Sequence, residues 1–507
     1  MNEKNKLTDA MNDIGDDLIR DAEDRVPVIM KKKVHWVRWI ALAAAVLLIA
    51  VAVPVTFAVI SGGSKSASER YDERVPATTA APMEAEINSA EKAEKAAMEA
   101  PEGEASSGKS GYAIREDAAV APADMPGEVD TGLVDDVPGD APADEPADVV
   151  FPEAGQLTAG AWDDNAHFLK WKELFAKNEQ NATSGKFATG ELAAWNLVPT
   201  ERVEVTVLAG ETPVSDARVV FTAADGKTFT ARTNRNGIAY VFGGATGSLA
   251  VTSMTSNEIV TATLTGEKEI TVSFTGGVPE TPETDNLIEL MYVVDVTGSM
   301  GDEIRYIQSE LGSVIEAVVA ANPGARIRLA LLFYRDAEDE DEFTLVDFKD
   351  VTDPADYASH LQVLKKQEAA GGGDYPEALD EALEQAVALR WTDGATKILF
   401  HVFDAPAHGE GRDRLYTAIQ TAAELGVRVC PVIASGADLL TEYIARSEAI
   451  VTGGTFVFLT NDSGIGGDHL DPELPAVHEY LNALMIRLIN GYHTGTFAEP
   501  VAWNAAK

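Results

Sequence analysis

The 507-residue chain contains one cysteine, Cys430. A lone thiol cannot form a disulfide within the chain, so a disulfide-stapled framework is excluded. Cys430 lies in the apolar stretch VRVCPVIASG, a context that favours a small buried core residue over a reactive thiol.

Basic residues are also scarce. The chain has 40 Lys and Arg against 82 Asp and Glu, which gives a net charge of −42. A surface of this sign repels the phosphate backbone, so we exclude nucleic acid as a partner. The same excess of carboxylates suits a protein that gathers cations, and the length predicts several domains.

One long stretch has no charge at all. Residues 39–60, WIALAAAVLLIAVAVPVTFAVI, would span about 33 Å as a helix, enough for the hydrocarbon core of a bilayer. We therefore predict a transmembrane helix over residues 36–60. Lysines and an arginine precede it, which predicts a single-pass cell-membrane protein with residues 1–35 in the cytoplasm and the bulk outside the cell or in the periplasm. A cleaved signal peptide is the alternative, although the preceding region is long and acidic for one.

The segments on either side of this helix have little apolar content. Residues 1–30 show helical spacing of apolar side chains, which indicates either a fraying tail or a docking helix for a cytosolic partner. Residues 61–155 predict an acidic disordered stalk, since residues 116–150 hold eleven Asp or Glu and no Lys or Arg. GEASSGKS, residues 103–110, fits a phosphate-binding loop, but no strand precedes it, and we interpret it as a chance match.

The remaining chain predicts three units. Residues 156–199 form a tryptophan-containing helical extension, and residues 200–278 alternate with period two between turn signals, which is typical of a small β-sandwich acting as a spacer. Over residues 286–492, apolar strands alternate with amphipathic helices. This order predicts an α/β domain with a mostly parallel sheet covered on both faces, and with a half-polar antiparallel edge strand near residues 343–349.

Oxygen-bearing side chains follow three of these strands. DVTGS carries Asp295, Thr297 and Ser299; GGGDYPEA carries Asp374; HVFDAPAHG carries Asp404. In an open parallel sheet, sites form beyond the carboxyl ends of the strands, and hard divalent cations prefer oxygen ligands. Taken singly, Asp374 could cap the following helix and Asp404 could be a turn residue. Together they predict a metal site.

These motifs resemble those of a known family. Residues 286–492 look like a von Willebrand factor type A domain, and DVTGS resembles its metal-ion-dependent adhesion motif, D-x-S-x-S. RLALLFYRD, GGGDYPEAL and FHVFDAPAHG fall in the order of bacterial members, and LTAGAWDDNAHF and the sandwich resemble segments that precede this domain in bacterial surface proteins. The resemblance implies a Rossmann-like fold with Mg²⁺, or Mn²⁺ or Ca²⁺, at the top of the sheet. The implied ligands are Asp295, Thr297, Ser299, Asp374 and Asp404.

Two positions depart from the family pattern. Thr297 replaces the usual serine and keeps the hydroxyl, whereas Asp374 replaces the usual threonine and adds a charge. Three carboxylates around a doubly charged ion leave a net charge of about −1. We expect such a site to bind metal tightly and to attract an acidic partner residue less strongly.

The combined pattern predicts a binding protein rather than an enzyme, because no nucleophile with a positioned base is apparent. We expect a membrane-tethered adhesion module whose metal-bearing face engages a protein or a surface polymer. One alternative is a transmembrane regulator whose N-terminal helix holds a cytosolic factor. The other is metal-assisted hydrolysis with Asp404 or His408 as the base. His401 is interpreted as a core histidine, and residues 336–342 as a solvated acidic loop.

Overall fold

The computed structural model describes residues 150–176, 185–188, 190–197, 201–276, 283–337, 339 and 342–505. All of them belong to one compact unit. The predicted cytoplasmic segment and transmembrane helix, and nearly all of the predicted stalk, lie outside the described residues. Within the described ranges, no helix is long and apolar enough to cross a membrane.

The described elements number sixteen strands and eight α-helices. The strands are β1 (Thr158–Trp162), β2 (Arg202–Ala209), β3 (Thr212–Pro213), β4 (Arg218–Ala223), β5 (Thr228–Arg232), β6 (Ile238–Phe242), β7 (Thr246–Thr252), β8 (Ile259–Thr265), β9 (Glu269–Phe274), β10 (Leu287–Asp295), β11 (Arg326–Tyr334), β12 (Phe343–Asp350), β13 (Thr396–Phe403), β14 (Arg428–Ile433), β15 (Phe456–Leu459) and β16 (Glu479–Tyr480). The helices are α1 (Phe168–Glu173), α2 (Gly190–Trp195), α3 (Ile304–Ala321), α4 (Pro354–Lys366), α5 (Leu379–Val387), α6 (Arg412–Leu425), α7 (Leu439–Thr452) and α8 (Leu481–Thr494).

An eight-stranded mixed sheet forms the centre of the C-terminal part, in the order β12-β11-β10-β13-β14-β15-β1-β16. Strands β11, β10, β13, β14 and β15 pair in parallel, which confirms the predicted α/β fold with a mostly parallel sheet. All nine residues of β10 are buried, as expected for a strand covered on both faces. The half-polar strand β12 pairs antiparallel with β11 at one edge, as predicted.

Helices cover both faces of this sheet. Alternate residues of β10 enter different cores: Met291 and Val293 pack with α5, α6 and α7, whereas Tyr292 and Val294 pack with α3 and α8. This alternation is the two-residue period of a strand with an apolar layer on each side. The parallel strands therefore all end at one edge, where the loops that follow β10, β11 and β13 come together.

The extension over residues 156–197 contributes a strand to the same sheet. β1 lies between β15 and β16 and pairs antiparallel with both, with Gly160 opposite Phe458. Just before it, the Glu310 carboxylate on α3 accepts the backbone N–H groups of Gly155, Gln156 and Leu157 at 2.8, 2.8 and 3.1 Å. The β-sandwich is consequently inserted between two parts of one sheet.

A buried ion-pair network holds the extension against α7. Arg446 donates to both carboxylate oxygens of Asp164, at 2.9 and 2.5 Å, and to Glu442 at 3.1 Å. Glu442 also meets Lys186 of the extension at 2.7 Å. The guanidinium carbon of Arg446 lies 5.5 Å from the centre of the Trp171 ring, within the range of a cation–π contact.

Residues 202–274 form a sandwich of two four-stranded sheets, one built on β3-β2-β6 with β9 on β2, and the other in the order β5-β4-β7-β8. Strands β2 and β4 alternate buried and half-buried residues, which is the pattern of a sheet with one face in a core. Most pairs are antiparallel, as the turn signals indicate, but β9 runs parallel to β2.

Charged and polar groups join the sandwich to the base of the large sheet. Asp216 accepts the backbone N–H of Gly394 at 2.7 Å and the guanidinium of Arg232 at 3.1 Å, and Lys397 lies 3.7 Å from it. Arg232 also donates to the backbone carbonyl of Glu424 at 2.9 Å. These contacts fix the insertion at the end of the sheet opposite the predicted metal site.

Candidate metal centre

The predicted site lies where two adjacent parallel strands end. Asp295 is the last residue of β10, and Asp404 follows the last residue of β13. The two strands pair in parallel with Val294 opposite Val402, so their carboxyl ends reach the same edge of the sheet. Position alone therefore makes this edge the expected place for a bound group.

The loop after β10 orients three oxygen-bearing side chains. Asp295 Oδ1 accepts the backbone N–H of Thr297 at 2.8 Å and the Thr297 hydroxyl at 2.7 Å, and the Thr297 and Ser299 hydroxyls lie 3.1 Å apart. Asp295 and Thr297 are fully buried, whereas Ser299 is exposed. The group thus runs from the protein interior to the solvent.

Asp404 belongs to the same group. After burial, the Asp404 charge is the next cause that raises the pKa of Asp295. Burial also raises the pKa of Asp404, and a hydrogen bond from Ser299 offsets part of that rise. The structure therefore brings together four of the five predicted ligands, Asp295, Thr297, Ser299 and Asp404.

The fifth predicted ligand, Asp374, lies in a neighbouring cluster. Its side chain is exposed, and one ligand atom from each of Asp374, Asp336 and His408 lies within 4.8 Å of the other two. Over the described residues, Asp295, Asp374 and Asp404 do not form such a set. The buried carboxylate that faces Thr297 comes from Glu377, three residues further along.

The glycine-rich loop explains why Glu377 reaches this position. Gly371 and Gly372 have φ angles of +76° and +74°, a conformation that suits glycine. A Cβ atom on Gly372 would lie 2.7 Å from Glu377 Oε1 and 3.3 Å from Thr297 Cβ, so the loop packs closely against both. The backbone N–H of Glu377 donates to the Pro406 carbonyl at 2.9 Å, which holds this carboxylate beside the loop after β13.

The donor set fits a divalent cation. Asp295 Oδ2, Glu377 Oε2 and Asp404 Oδ1 are buried and have no hydrogen-bond partner among the described residues. Buried carboxylate oxygens without a partner are costly, and a cation would satisfy them. Mg²⁺ takes oxygen ligands and keeps several waters, so hydroxyls and carboxylates at this spacing can hold it directly or through water.

Burial and the close approach of the carboxyl groups raise their pKa values. Burial, followed by the Asp404 charge, raises the pKa of Asp295 to about 7. Burial, followed by the charges of Asp295, Asp336 and Asp404, raises the pKa of Glu377 to about 9. Burial raises the pKa of Asp404 to about 6. The positive charge near these three carboxylates is therefore too small to offset their burial and their mutual repulsion.

Comparison with known proteins gives one family match. Residues 289–447 match the sequence model of the von Willebrand factor A domain. This match supports an A domain over these residues, and we refer to the matched region as the A domain. Such domains are generally protein-interaction or adhesion modules, and they often bind a divalent metal.

The similar proteins match only part of this chain, and in most cases only part of their own length. The alpha-protein kinase vwkA of Dictyostelium discoideum is 25% identical over 123 residues, which are 24% of this chain and 19% of that protein. The chain therefore matches about a fifth of the length of this curated relative. Similar solved structures include a von Willebrand factor type A protein from Catenulispora acidiphila (TM-score 0.29, 14% identity, 58% of this chain and 49% of that one). Another is the conserved hypothetical protein BatB from Bacteroides thetaiotaomicron (TM-score 0.27, 12% identity, 40% of this chain and 98% of that one).

The loop between β15 and β16 packs beside the candidate metal centre. Glu303, fully buried at the start of α3, pairs with His469 at 2.6 Å and accepts the backbone N–H of Ser435 at 3.2 Å. The other ring nitrogen of His469 meets Asn461 at 2.9 Å. After burial, the Glu303 charge is a further cause of the raised pKa of Asp404, so this pair lies near the candidate ligand Asp404.

Sequence reasoning missed Glu377, Glu303 and His469. For Glu377, the available signal was YPEAL, in which Pro376 restricts the backbone before a carboxylate that is followed by the apolar residues Ala378 and Leu379. His401 does lie in the core of the A domain, with its Nδ1 atom 3.1–3.2 Å from the buried Glu448 carboxylate.

Proposed function

We propose that the A domain binds a divalent cation, Mg²⁺ in the first instance, and uses the metal-bearing face to engage a protein or surface-polymer partner. The observation that carries this proposal is the set of three buried, unpartnered carboxylate oxygens beside an exposed hydroxyl, Ser299, within the described part of the chain. The ligands would come from Asp295, Thr297, Ser299, Glu377 and Asp404. A bound cation would present positive charge at the surface, where a partner's oxygen could reach it.

The charge balance bears on the kind of partner. Asp295, Glu377 and Asp404 carry three negative charges, so a doubly charged ion leaves about −1. This is the balance that the sequence suggested, with Glu377 in the place given to Asp374. We expect the site to hold its cation without a partner's carboxylate and to accept neutral oxygen donors as well as acidic ones.

We further propose that the chain presents this face at the cell surface. The charge-free residues 39–60 support a membrane anchor, and the acidic residues 61–155 support an extended tether. The kinase in the name of the Dictyostelium relative belongs to that protein, most of whose length this chain does not match.

Calorimetry on the full chain tests the metal site. After treatment with a chelator, titration with Mg²⁺ should give saturable binding that is lost in Asp295→Asn and weakened in Glu377→Gln. The raised pKa of Glu377 opposes folding at neutral pH, because this carboxyl group is ionised in the unfolded chain and protonated in the folded chain without metal. Glu377→Gln removes this cost, so it should raise the melting temperature without metal and reduce the further rise that Mg²⁺ produces in the parent chain. Asp413→Asn is the matched control, since the Asp413 side chain is 85% exposed. Equal Mg²⁺ binding by the parent chain and Asp295→Asn would contradict the assignment.

Retention on cells or matrix tests the partner. The parent chain should be retained in Mg²⁺ and released by chelator, whereas Asp295→Asn should not be retained in either condition. Retention that is indifferent to both chelator and Asp295→Asn would refute a metal-bearing binding face while leaving the calorimetric result in place.

A further inference from the structure

Asp336, Asp374 and His408 form a second cluster beside the metal centre. Asp336 follows β11, Asp374 lies in the glycine-rich loop, and His408 lies in the loop after β13. His408 Nε2 is 2.8 Å from Asp336 Oδ1, and one ligand atom of each of the three residues lies within 4.8 Å of the other two. Asp336 is only 7% exposed, so residues 336–342 are not the wholly solvated acidic loop that the sequence suggested.

The backbone holds this cluster in place. The Asp339 carboxylate accepts the backbone N–H of Gly372 at 2.8 Å and that of Asp336 at 3.3 Å, which ties two of the contributing loops together. Glu377 pairs with Ala407 in an isolated parallel bridge, and His408 is the next residue. The three side chains therefore sit on segments that are already joined, rather than on independent surface loops.

Glu377, a proposed ligand of the Mg²⁺ site, also lies next to this cluster. Glu377 is 3% exposed, and its Oε2 atom has no hydrogen-bond partner in the described residues. After burial, the charges that raise its pKa belong to Asp295, Asp336 and Asp404, so its carboxyl group lies near residues of both clusters.

Carboxylates outnumber positive charges in this region. Asp295, Asp336, Asp339, Asp374, Glu377 and Asp404 lie around the two clusters. Arg335 is a nearby cation, and its charge lowers the pKa of Asp295. When these carboxyl groups are ionised, one doubly charged ion leaves the region acidic, and a second brings it closer to neutrality.

The donor types differ between the two clusters. The first offers only oxygen, whereas the second offers one imidazole nitrogen and two carboxylates. Imidazole suits Zn²⁺, Co²⁺, Ni²⁺ and Fe²⁺, while Mg²⁺ and Ca²⁺ favour oxygen alone. The 2.8 Å between His408 Nε2 and Asp336 Oδ1 is close to the roughly 3 Å that separates neighbouring ligands at about 2.1 Å from one ion. A cation would take the place of the proton that these two atoms share.

We propose that Asp336, Asp374 and His408 bind a transition-metal dication of the Zn²⁺ or Co²⁺ type, at a second site distinct from the Mg²⁺ site. This proposal does not depend on the adhesion function. With Mg²⁺ in excess to fill oxygen-only sites, the full chain should still bind one Co²⁺ at this cluster, with the visible absorption of a nitrogen-ligated ion.

Variants at the cluster test the assignment. His408→Ala and the exposed Asp374→Asn should each weaken Co²⁺ binding by at least about tenfold, the lower end of the loss seen even when a supporting group around a metal is removed. His478→Ala is the matched control, because His478 also pairs with an aspartate, Asp462, at 2.7 Å, in a more exposed position. Since Asp374 is on the surface, its variant keeps the test valid even if His408→Ala does not fold.

Two results would overturn the proposal. One is the absence of a His408-dependent Co²⁺ signal in excess Mg²⁺. The other is an equal loss in His478→Ala, which would indicate general binding to surface histidines. A parent chain that binds Co²⁺ at His408 but does not bind Mg²⁺ would contradict the proposed function and leave the second site standing. A parent chain that binds Mg²⁺ but gives no His408-dependent Co²⁺ signal would contradict the second site and leave the proposed function standing.

Discussion

The ion pair between Arg446 and Asp164 offers a sharp test of how the extension is held. Both side chains are essentially inaccessible to water, at 2% and 0% exposure, and they lie 282 positions apart in the chain. In Asp164→Ala, Arg446 keeps Glu442 but loses the partner that accepts two of its hydrogen bonds. Leaving one charge of a buried pair without its partner costs about 3–5 kcal/mol.

This cost should be visible as a large fall in melting temperature. At about 2–4 °C per kcal/mol for a domain of this size class, Asp164→Ala should melt roughly 6–20 °C below the parent chain. Arg446→Met should cost a similar amount, because it leaves the Asp164 carboxylate buried. The double variant should cost less than the sum of the two by about 2–3 kcal/mol, since neither charge remains unpaired.

Thermal unfolding followed by tryptophan fluorescence suits this measurement, because the Trp171 ring is 5.5 Å from the Arg446 guanidinium carbon. Asp413→Ala serves as the control, since its pair with Arg412 is exposed and should contribute less than about 1 kcal/mol. Additive single-variant effects, or single effects no larger than the control, would refute the claim that this pair anchors the extension.

Two further predictions concern packing and pH. Gly160→Ala would place a methyl group into the Phe458 ring and should cost about 1–3 kcal/mol, measured by chemical denaturation. Gly190→Ala, with open space around the new atom among the described residues, should change stability little, and equal effects would contradict the close packing of β1. Burial lowers the pKa of His360, so the unfolded chain takes up this proton first as pH falls below about 6.5. The unfolding free energy should drop there, and less steeply in His360→Leu; parallel pH profiles would exclude this histidine as a cause.

Much of the A-domain fold could be predicted from the sequence, because the patterns that indicate its strands and helices are local. Each strand of the parallel sheet is a short apolar run, and each crossover helix has its own amphipathic period. DVTGS and Asp404 could be placed because a residue that ends a buried parallel strand must lie at the carboxyl edge of the sheet.

The choice between Asp374 and Glu377 was beyond the sequence. Both carboxylates follow three glycines within a few residues, and local pattern does not say which one turns inward. The outcome depends on contacts made elsewhere: the Asp339 carboxylate fixes Gly372, and the bridge to Ala407 draws Glu377 in. The sequence thus indicates which loops form the candidate metal centre, but not which side chain of each loop turns inward.

The strand contributed by the extension was hidden for a related reason. β1 is a five-residue segment, TAGAW, whose partner β15 lies about 300 positions later. A short run of small residues carries no sign of a pairing over that separation, whereas the tryptophans that follow it were visible as apolar anchors.

Glu310 connects the segment ahead of β1 to helix α3. Its carboxylate accepts hydrogen bonds from the backbone of residues 155–157, and the same helix begins directly after the loop that holds Thr297 and Ser299. Tension on the polypeptide ahead of residue 150 would therefore be transmitted to that helix before it loaded the rest of the sheet. A force applied to the loop that holds Thr297 and Ser299 would load the same helix at its first residue, so the first two turns of α3 connect the segment ahead of β1 with the candidate metal centre.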